Sequence, residues 1–98
     1  MTIEIKRKAD ETTIELAGRL DTTTAPALDK AITSDMEGTK TLILDFGSLE
    51  YISSAGLRVL LSAQKRMQKI GSMKLTNVCE EVMDVLEMTG FADILTIE

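Results

Sequence analysis

This chain of 98 residues has no histidine and no tryptophan, and it has one cysteine (Cys79) and one proline (Pro26). Each shortage excludes something. Without an imidazole, no Ser-His-Asp mechanism can be assembled, and the common zinc-ligand sets are out of reach. A lone thiol cannot close an internal disulfide, which fits a reducing compartment. Three aromatic residues leave little to stack on bases, and sixteen acidic residues against eleven basic ones (net charge −5) repel a phosphate backbone. Nucleic-acid binding is therefore not expected. No segment approaches the ~18–20 apolar residues of a membrane span. Met1–Lys8 carries no apolar block behind its basic residues, so it does not read as a signal peptide. A cytoplasmic protein without membrane contact is the expectation.

What is present is ordinary for a globular protein, with 44% apolar and 28% charged residues. The length predicts one domain over residues 1–98, with a single core. Ile3 and Ile5, then Thr12, Ile14 and Leu16, alternate with polar residues on either side of Ala9-Asp10-Glu11. This period of two predicts a hairpin of two half-buried strands, interrupted at Gly18 and Asp21. Thr22-Thr23-Thr24 before Ala25-Pro26 reads as a helix start, because threonine caps and proline is tolerated in the first turn. That helix buries Leu28, Ala31 and Ile32 and runs to about Met36, before Gly38.

Thr41–Phe46 is a short, nearly continuous apolar run, which predicts a central strand covered on both faces. Gly47–Ile52 reads as a loop. Ser53–Ile70 is the longest helical pattern: Leu57, Leu60, Leu61 and Met67 form a stripe widened by Ala63 and Ile70, and Arg58, Lys65, Arg66 and Lys69 mark the wet side. Met73–Asn77 is a further strand, joined to the earlier one by a parallel crossover. Glu80–Met88 is a third helix with Val82, Val85 and Leu86 inward, stopped at Gly90, and Ile94–Ile97 is a last short strand. Met67, Met73, Met83 and Met88 read as core or half-buried filler, and Cys79 as a packing residue. The order β-β-α-β-α-β-α-β predicts an α/β domain with a mixed sheet of four to five strands packed by helices.

The chemistry concentrates where the central strand delivers the chain to Ser53 and Ser54. A helix start has up to four amides without intrahelical acceptors and about half a positive charge, so it welcomes a phosphate. A serine there is accessible to a kinase. The plainer alternative is an N-cap worth about 1 kcal/mol. Gly56 has a plain role too, as room for helix and sheet to approach. Asp21 reads equally as a turn or capping residue, and Arg58 as a solvated surface cation. Ile52-Ser53-Ser54-Ala55-Gly56 echoes the G-x-S-x-G elbow, but Ile52 stands where the first glycine belongs. There is no G-x-x-x-x-G-K-[ST] loop either. Neither enzyme activity nor a cofactor is expected.

Asp45-Phe46-Gly47-Ser48-Leu49-Glu50-Tyr51-Ile52-Ser53-Ser54-Ala55-Gly56-Leu57 resembles the signature of the STAS domain in bacterial anti-sigma-factor antagonists. Gly18-Arg19-Leu20-Asp21 is similar to that family's Gly-x-Leu-Asp turn. The resemblance covers essentially the whole chain. It implies a protein that binds an anti-sigma factor, itself a GHKL-type serine kinase, when unphosphorylated. Phosphorylation of a serine two residues before the signature glycine releases it, and a phosphatase resets it. Here that serine is Ser54, with Ser53 as the competitor. Ser53 also stands where many members carry Asp, and Ala55 replaces a frequent Ser or Thr. Asp21, Thr22, Ser53, Ser54, Ala55, Gly56 and Arg58 are implied as the partner surface. The sequence leaves the oligomeric state open, with a monomer when free as the expectation. The alternative within the fold is a regulatory subunit of a lipid-transport ATPase.

Overall fold

Alternation builds the sheet. In the computed structural model, which describes residues 1–34 and 36–98, β1 (Thr2–Lys8) and β2 (Glu11–Leu20) form the antiparallel hairpin, with Ile3 opposite Leu16 and Ile5 opposite Ile14. β3 (Thr41–Ile52) lies parallel to β2, and β4 (Ser72–Thr76) parallel to β3. The result is a mixed four-stranded sheet in the order β1-β2-β3-β4. α1 (Ala25–Ser34) and α2 (Ser54–Ile70) make the two crossovers that parallel pairing demands, and α3 (Glu80–Met88) follows β4.

One face of the sheet carries the core. Ile14 and Leu16 of β2, Leu42, Leu44 and Phe46 of β3, and Met73 and Leu75 of β4 are buried. They cluster with Leu28 and Ile32 of α1, Leu57, Leu60 and Met67 of α2, and Val82 and Leu86 of α3. Each such side chain contributes roughly 1.5–3 kcal/mol when fully removed from water. The buried polar pair Thr12–Thr39 satisfies itself, its hydroxyl oxygens 2.7 Å apart.

Several expectations change. Gly47–Ile52 is no loop but the second half of β3, pairing Ser48 with Ala17, Leu49 with Gly18, Tyr51 with Arg19 and Ile52 with Leu20. The register shifts between Glu15 and Ala17 and again between Gly18 and Arg19. Gly18, at φ 100°, supplies backbone that a bulge needs and side chains rarely adopt. The shifts put buried Leu49 and Ile52 three residues apart, which hides the strand from a period-two reading.

β3 is also covered on one face only. Its other face shows Ile43 and Asp45, half-buried, beside Thr13, Glu15, Lys74 and Thr76 of the neighbouring strands. Ile5 is 42% exposed, because β1 is the outermost strand. On α2, Gln64 is buried and Ile70 exposed, the reverse of their polarity. Met67 and Met73 are core and Met83 is half-buried, but Met88, the last residue of α3, is 85% exposed. α1 ends at Ser34, and the expected continuation toward Met36 passes Asp35, outside the described residues. Ile94–Ile97 is not a fifth strand. After a 3₁₀ turn at Phe91–Asp93, a single bridge joins Ile97 to Leu75.

Between α2 and β4 the chain must pass Lys40. A Cβ on Gly71 would stand 1.8 Å from the Lys40 carbonyl oxygen, which already accepts the Ser72 amide at 2.8 Å. Backbone there cannot yield without breaking the β3–β4 entry. Gly71→Ala should destabilise the fold by at least ~2 kcal/mol, seen as a lower midpoint in urea unfolding.

Candidate functional site

β2 and β3 end side by side, and this brings the two singled-out segments together. Leu20 pairs with Ile52, and the Ser53 amide donates to the Leu20 carbonyl at 2.9 Å. The chain therefore leaves the sheet at two adjacent points, through Asp21–Thr24 into α1 and through Ser53 into α2. Gly56 lets the first turn of α2 lie on these strand ends. A Cβ there would meet Leu20 Cγ at 2.7 Å and Ile52 Cγ1 at 2.9 Å.

The threonine run behaves differently from its expected capping role. Asp21 organises the turn: its Oδ1 accepts from the Thr23 hydroxyl (2.7 Å), the Thr23 amide (3.0 Å) and the Thr24 amide (3.2 Å). The Thr24 hydroxyl turns back, donating to the Arg19 carbonyl and accepting from the Asp21 amide, both at 2.8 Å. The Thr23 hydroxyl, with the Thr23 and Thr24 amides, holds the Asp21 carboxyl below its ordinary value of 3.8. Partial desolvation pulls the other way. Thr22 is exposed at the crest of the turn.

The two serines separate. Ser53 is the N-cap of α2 in extended conformation (φ −104°, ψ 176°), and its carbonyl accepts the first helical bond, from the Leu57 amide at 3.0 Å. Its hydroxyl makes no capping bond, and the oxygen is buried without a partner. Ser54 is the first helical residue and is exposed. The amides of Ser54, Ala55 and Gly56 precede that first helical bond and so have no acceptor within the helix. Ala55 packs half-buried against the core, and Arg58 is exposed one turn beyond Ser54. No acidic residue stands in the first turn.

Two residues at this end escaped the reading of the sequence as individual candidates. Arg19 and Tyr51 are direct partners across β2 and β3, and the guanidinium lies 4.1 Å from the ring centre. Its Nε is 4.0 Å from Asp21 Oδ2. Both residues sit inside the quoted motifs, but only the bulged register puts them opposite each other. Cys79 lies elsewhere, as the N-cap of α3, half-buried, with its Sγ donating to the Leu49 carbonyl at 3.5 Å. Among the described residues no group of three or more Cys, Asp or Glu side chains could hold a metal ion, and no helix is long and apolar enough to cross a membrane.

Because the folded state lowers the Asp21 pKa, its contribution to stability is complete above the ordinary value of 3.8 and is lost as pH falls through the depressed one. Asp21→Asn should therefore be less stable than the parent at neutral pH. The gap should close as the solution is acidified below that value, followed by urea midpoints at each pH.

The profile of the STAS domain family matches residues 2–98. The anti-sigma-B factor antagonist of Listeria monocytogenes is 31% identical over 101 aligned positions, covering 100% of this chain and 89% of that protein. Among solved structures, an anti-sigma factor antagonist from Mycobacterium paratuberculosis superposes with a TM-score of 0.88 at 21% identity, over 98% of this chain and 83% of its own. The Bacillus cell fate determinant SpoIIAA, solved in its phosphorylated form, superposes with a TM-score of 0.77 at 18% identity, over 99% and 91%. The matched profile spans every element described above, both strand ends and both helix starts included, and this chain belongs to the STAS domain family, among its anti-sigma factor antagonists, which regulate without catalysis of their own.

Proposed function

We propose that the unphosphorylated chain, acting as one STAS domain in the cytoplasm, binds an anti-sigma factor that is also a GHKL-type serine kinase. Phosphate transfer to Ser54 ends the complex, and a separate phosphatase restores the binding form. The observation that carries this reading is the division of labour between neighbouring serines: Ser54 is exposed at the first position of α2, and the Ser53 oxygen is buried. A kinase reaches the first and not the second.

The partner surface in this reading is the end of the sheet where Asp21, Thr22, Ser53, Ser54, Ala55, Gly56 and Arg58 gather, joined by Arg19 and Tyr51. Gly56 and the Ser53 oxygen are buried, so they shape this surface and do not touch a partner. Asp21 likewise shapes the turn, and exposed Thr22 and Arg58 are the contacting groups.

Electrostatics supports release without refolding. A phosphoserine adds about −1.5 to −2 charge and three strong acceptors. At ~4 Å and an effective dielectric near 20, two unit charges interact by about 4 kcal/mol. A fraction of that, ~2.8 kcal/mol, weakens a complex about a hundredfold. Within the chain the same phosphate meets the unbonded amides of Ser54–Gly56, the positive end of a seventeen-residue helix and Arg58 at i+4. It is tolerated by its own domain and felt by the docked one.

After incubation with the cognate kinase and ATP, mass spectrometry should find phosphate on the wild type and on Ser53→Ala, and none on Ser54→Ala. Ser54→Ala should keep its affinity for the partner, and Ser54→Asp should lose about a hundredfold, measured by calorimetry. Phosphate persisting on Ser54→Ala, or equal affinities for the two Ser54 variants, would overturn the assignment.

A further inference from the structure

The outer edge of β1 is open. Among the described residues β1 pairs with β2 alone, so its seven residues present a row of backbone donors and acceptors to solvent. The opposite edge is partly closed: Leu75 of β4 donates its amide to the Thr96 carbonyl and accepts from the Glu98 amide, each at 2.9 Å. On β1, Ile5 lies opposite buried Ile14 yet is itself 42% exposed. An apolar side chain and an unpaired edge coincide.

We propose that this edge pairs with a second copy of the same chain, the two β1 strands running antiparallel about a two-fold axis at Ile5, so that the two sheets become one of eight strands. Overlap and charge together select the register: only an axis at Ile5 pairs all seven residues of β1, and its neighbours at Glu4 and Lys6 are disfavoured by charge. A two-fold axis perpendicular to the sheet keeps the faces of the two copies in line. Thr2, Glu4, Lys6 and Lys8, on the open face, can then meet only one another, and Ile3, Ile5 and Arg7 likewise on the helix face. Centring on Glu4 sets two carboxylates directly opposite; centring on Lys6 does the same with two ammonium groups. Like charges in that position destabilise a strand pair, and opposite charges stabilise it.

Centred on Ile5, every pairing is favourable or neutral. Glu4 of each copy faces Lys6 of the other, Thr2 faces Lys8, Ile3 faces Arg7, and the two Ile5 side chains cover each other. A basic edge ordinarily deters strand addition, but in this register no cation faces a cation. Arg7 is already drawn off the edge, its guanidinium bonded to the Glu37 carbonyl. Lys6, 3.0 Å from Glu15 of its own chain, gains a second carboxylate on its far side. The contact is isologous and closes on itself, so it gives dimers and not fibres. The sequence leaves the oligomeric state open, with a monomer as the expectation, because it carries no information about which strand lies outermost.

The test is sedimentation equilibrium of the full chain across a concentration series, for wild type, Glu4→Lys, Lys6→Glu, the double exchange, and an equimolar mixture of the two single variants. The wild type should show a reversible monomer–dimer equilibrium that weakens with added salt. Each single variant sets like charges opposite twice per dimer and should weaken association about ten-fold or more. The double exchange restores both pairs and sets a lysine directly opposite Glu15 of its own chain, where the wild type has Glu4, so it should return to the wild-type curve. The mixture should form a heterodimer tighter than either single variant with itself. A wild type that stays monomeric at its highest soluble concentration, single variants that associate as the wild type does, or a double exchange that fails to recover would each overturn the proposal.

Discussion

The close approach of the first turn of α2 to the ends of β2 and β3 governs how this end of the molecule is arranged. It exists because position 56 has no Cβ, which would otherwise sit 2.7 Å from Leu20 Cγ. The Ser53 amide completes the contact by bonding the Leu20 carbonyl, so the N-cap of the helix hangs directly from a strand. From this follow the burial of the Ser53 oxygen, the outward aim of Ser54 and the nearness of Asp21. A helix start held this way cannot swing to present a different residue.

Rigidity here has a functional sense. The Asp21 carboxylate satisfies two amides and a hydroxyl of its own turn, so its role is internal even though it stands near the proposed partner surface. The Ser53 hydroxyl has no bond at all, an unusual loss for a buried group, costing roughly 1–3 kcal/mol. Rotation toward the amides of the first turn would recover a capping bond. The amides of the first turn are thus left without a side-chain acceptor, and an anion on Ser54, the proposed acceptor, would satisfy them.

Much of this was legible from pattern alone. The stripe of Leu57, Leu60 and Met67 defines α2 by its period, and the alternation of Thr12, Ile14 and Leu16 defines β2. The two quoted motifs, Gly18–Asp21 and Asp45–Leu57, meet at one end of the sheet. What stayed hidden has a physical reason in each case. Leu49 and Ile52 are three apart because bulges shift β2 against β3, and a strict period of two reads that as a loop. Which of two adjacent serines is buried depends on a boundary one residue wide and on a side-chain rotamer, neither of which composition encodes. The stacking of Arg19 on Tyr51 exists only in the shifted register. Gln64 in the core and Ile70 outside it show that helix phase, set by neighbours, overrides local polarity.

The two surfaces discussed lie on different parts of the sheet, which bears on how a switch and an assembly could coexist. The proposed phosphoacceptor end is built from the C-terminal ends of β2 and β3 and the first turns into α1 and α2, whereas the open edge belongs to β1. No residue of β1 enters the group around Ser54, and no residue of that group lies on β1. Coupling between sites requires an element with two arrangements that both ligands bias. Here the intervening structure is one continuous sheet over a single core, seen in one arrangement. On the two proposals, pairing at β1 and anion placement at Ser54 would be additive events, and a paired molecule would present two acceptor ends, each open to its own partner.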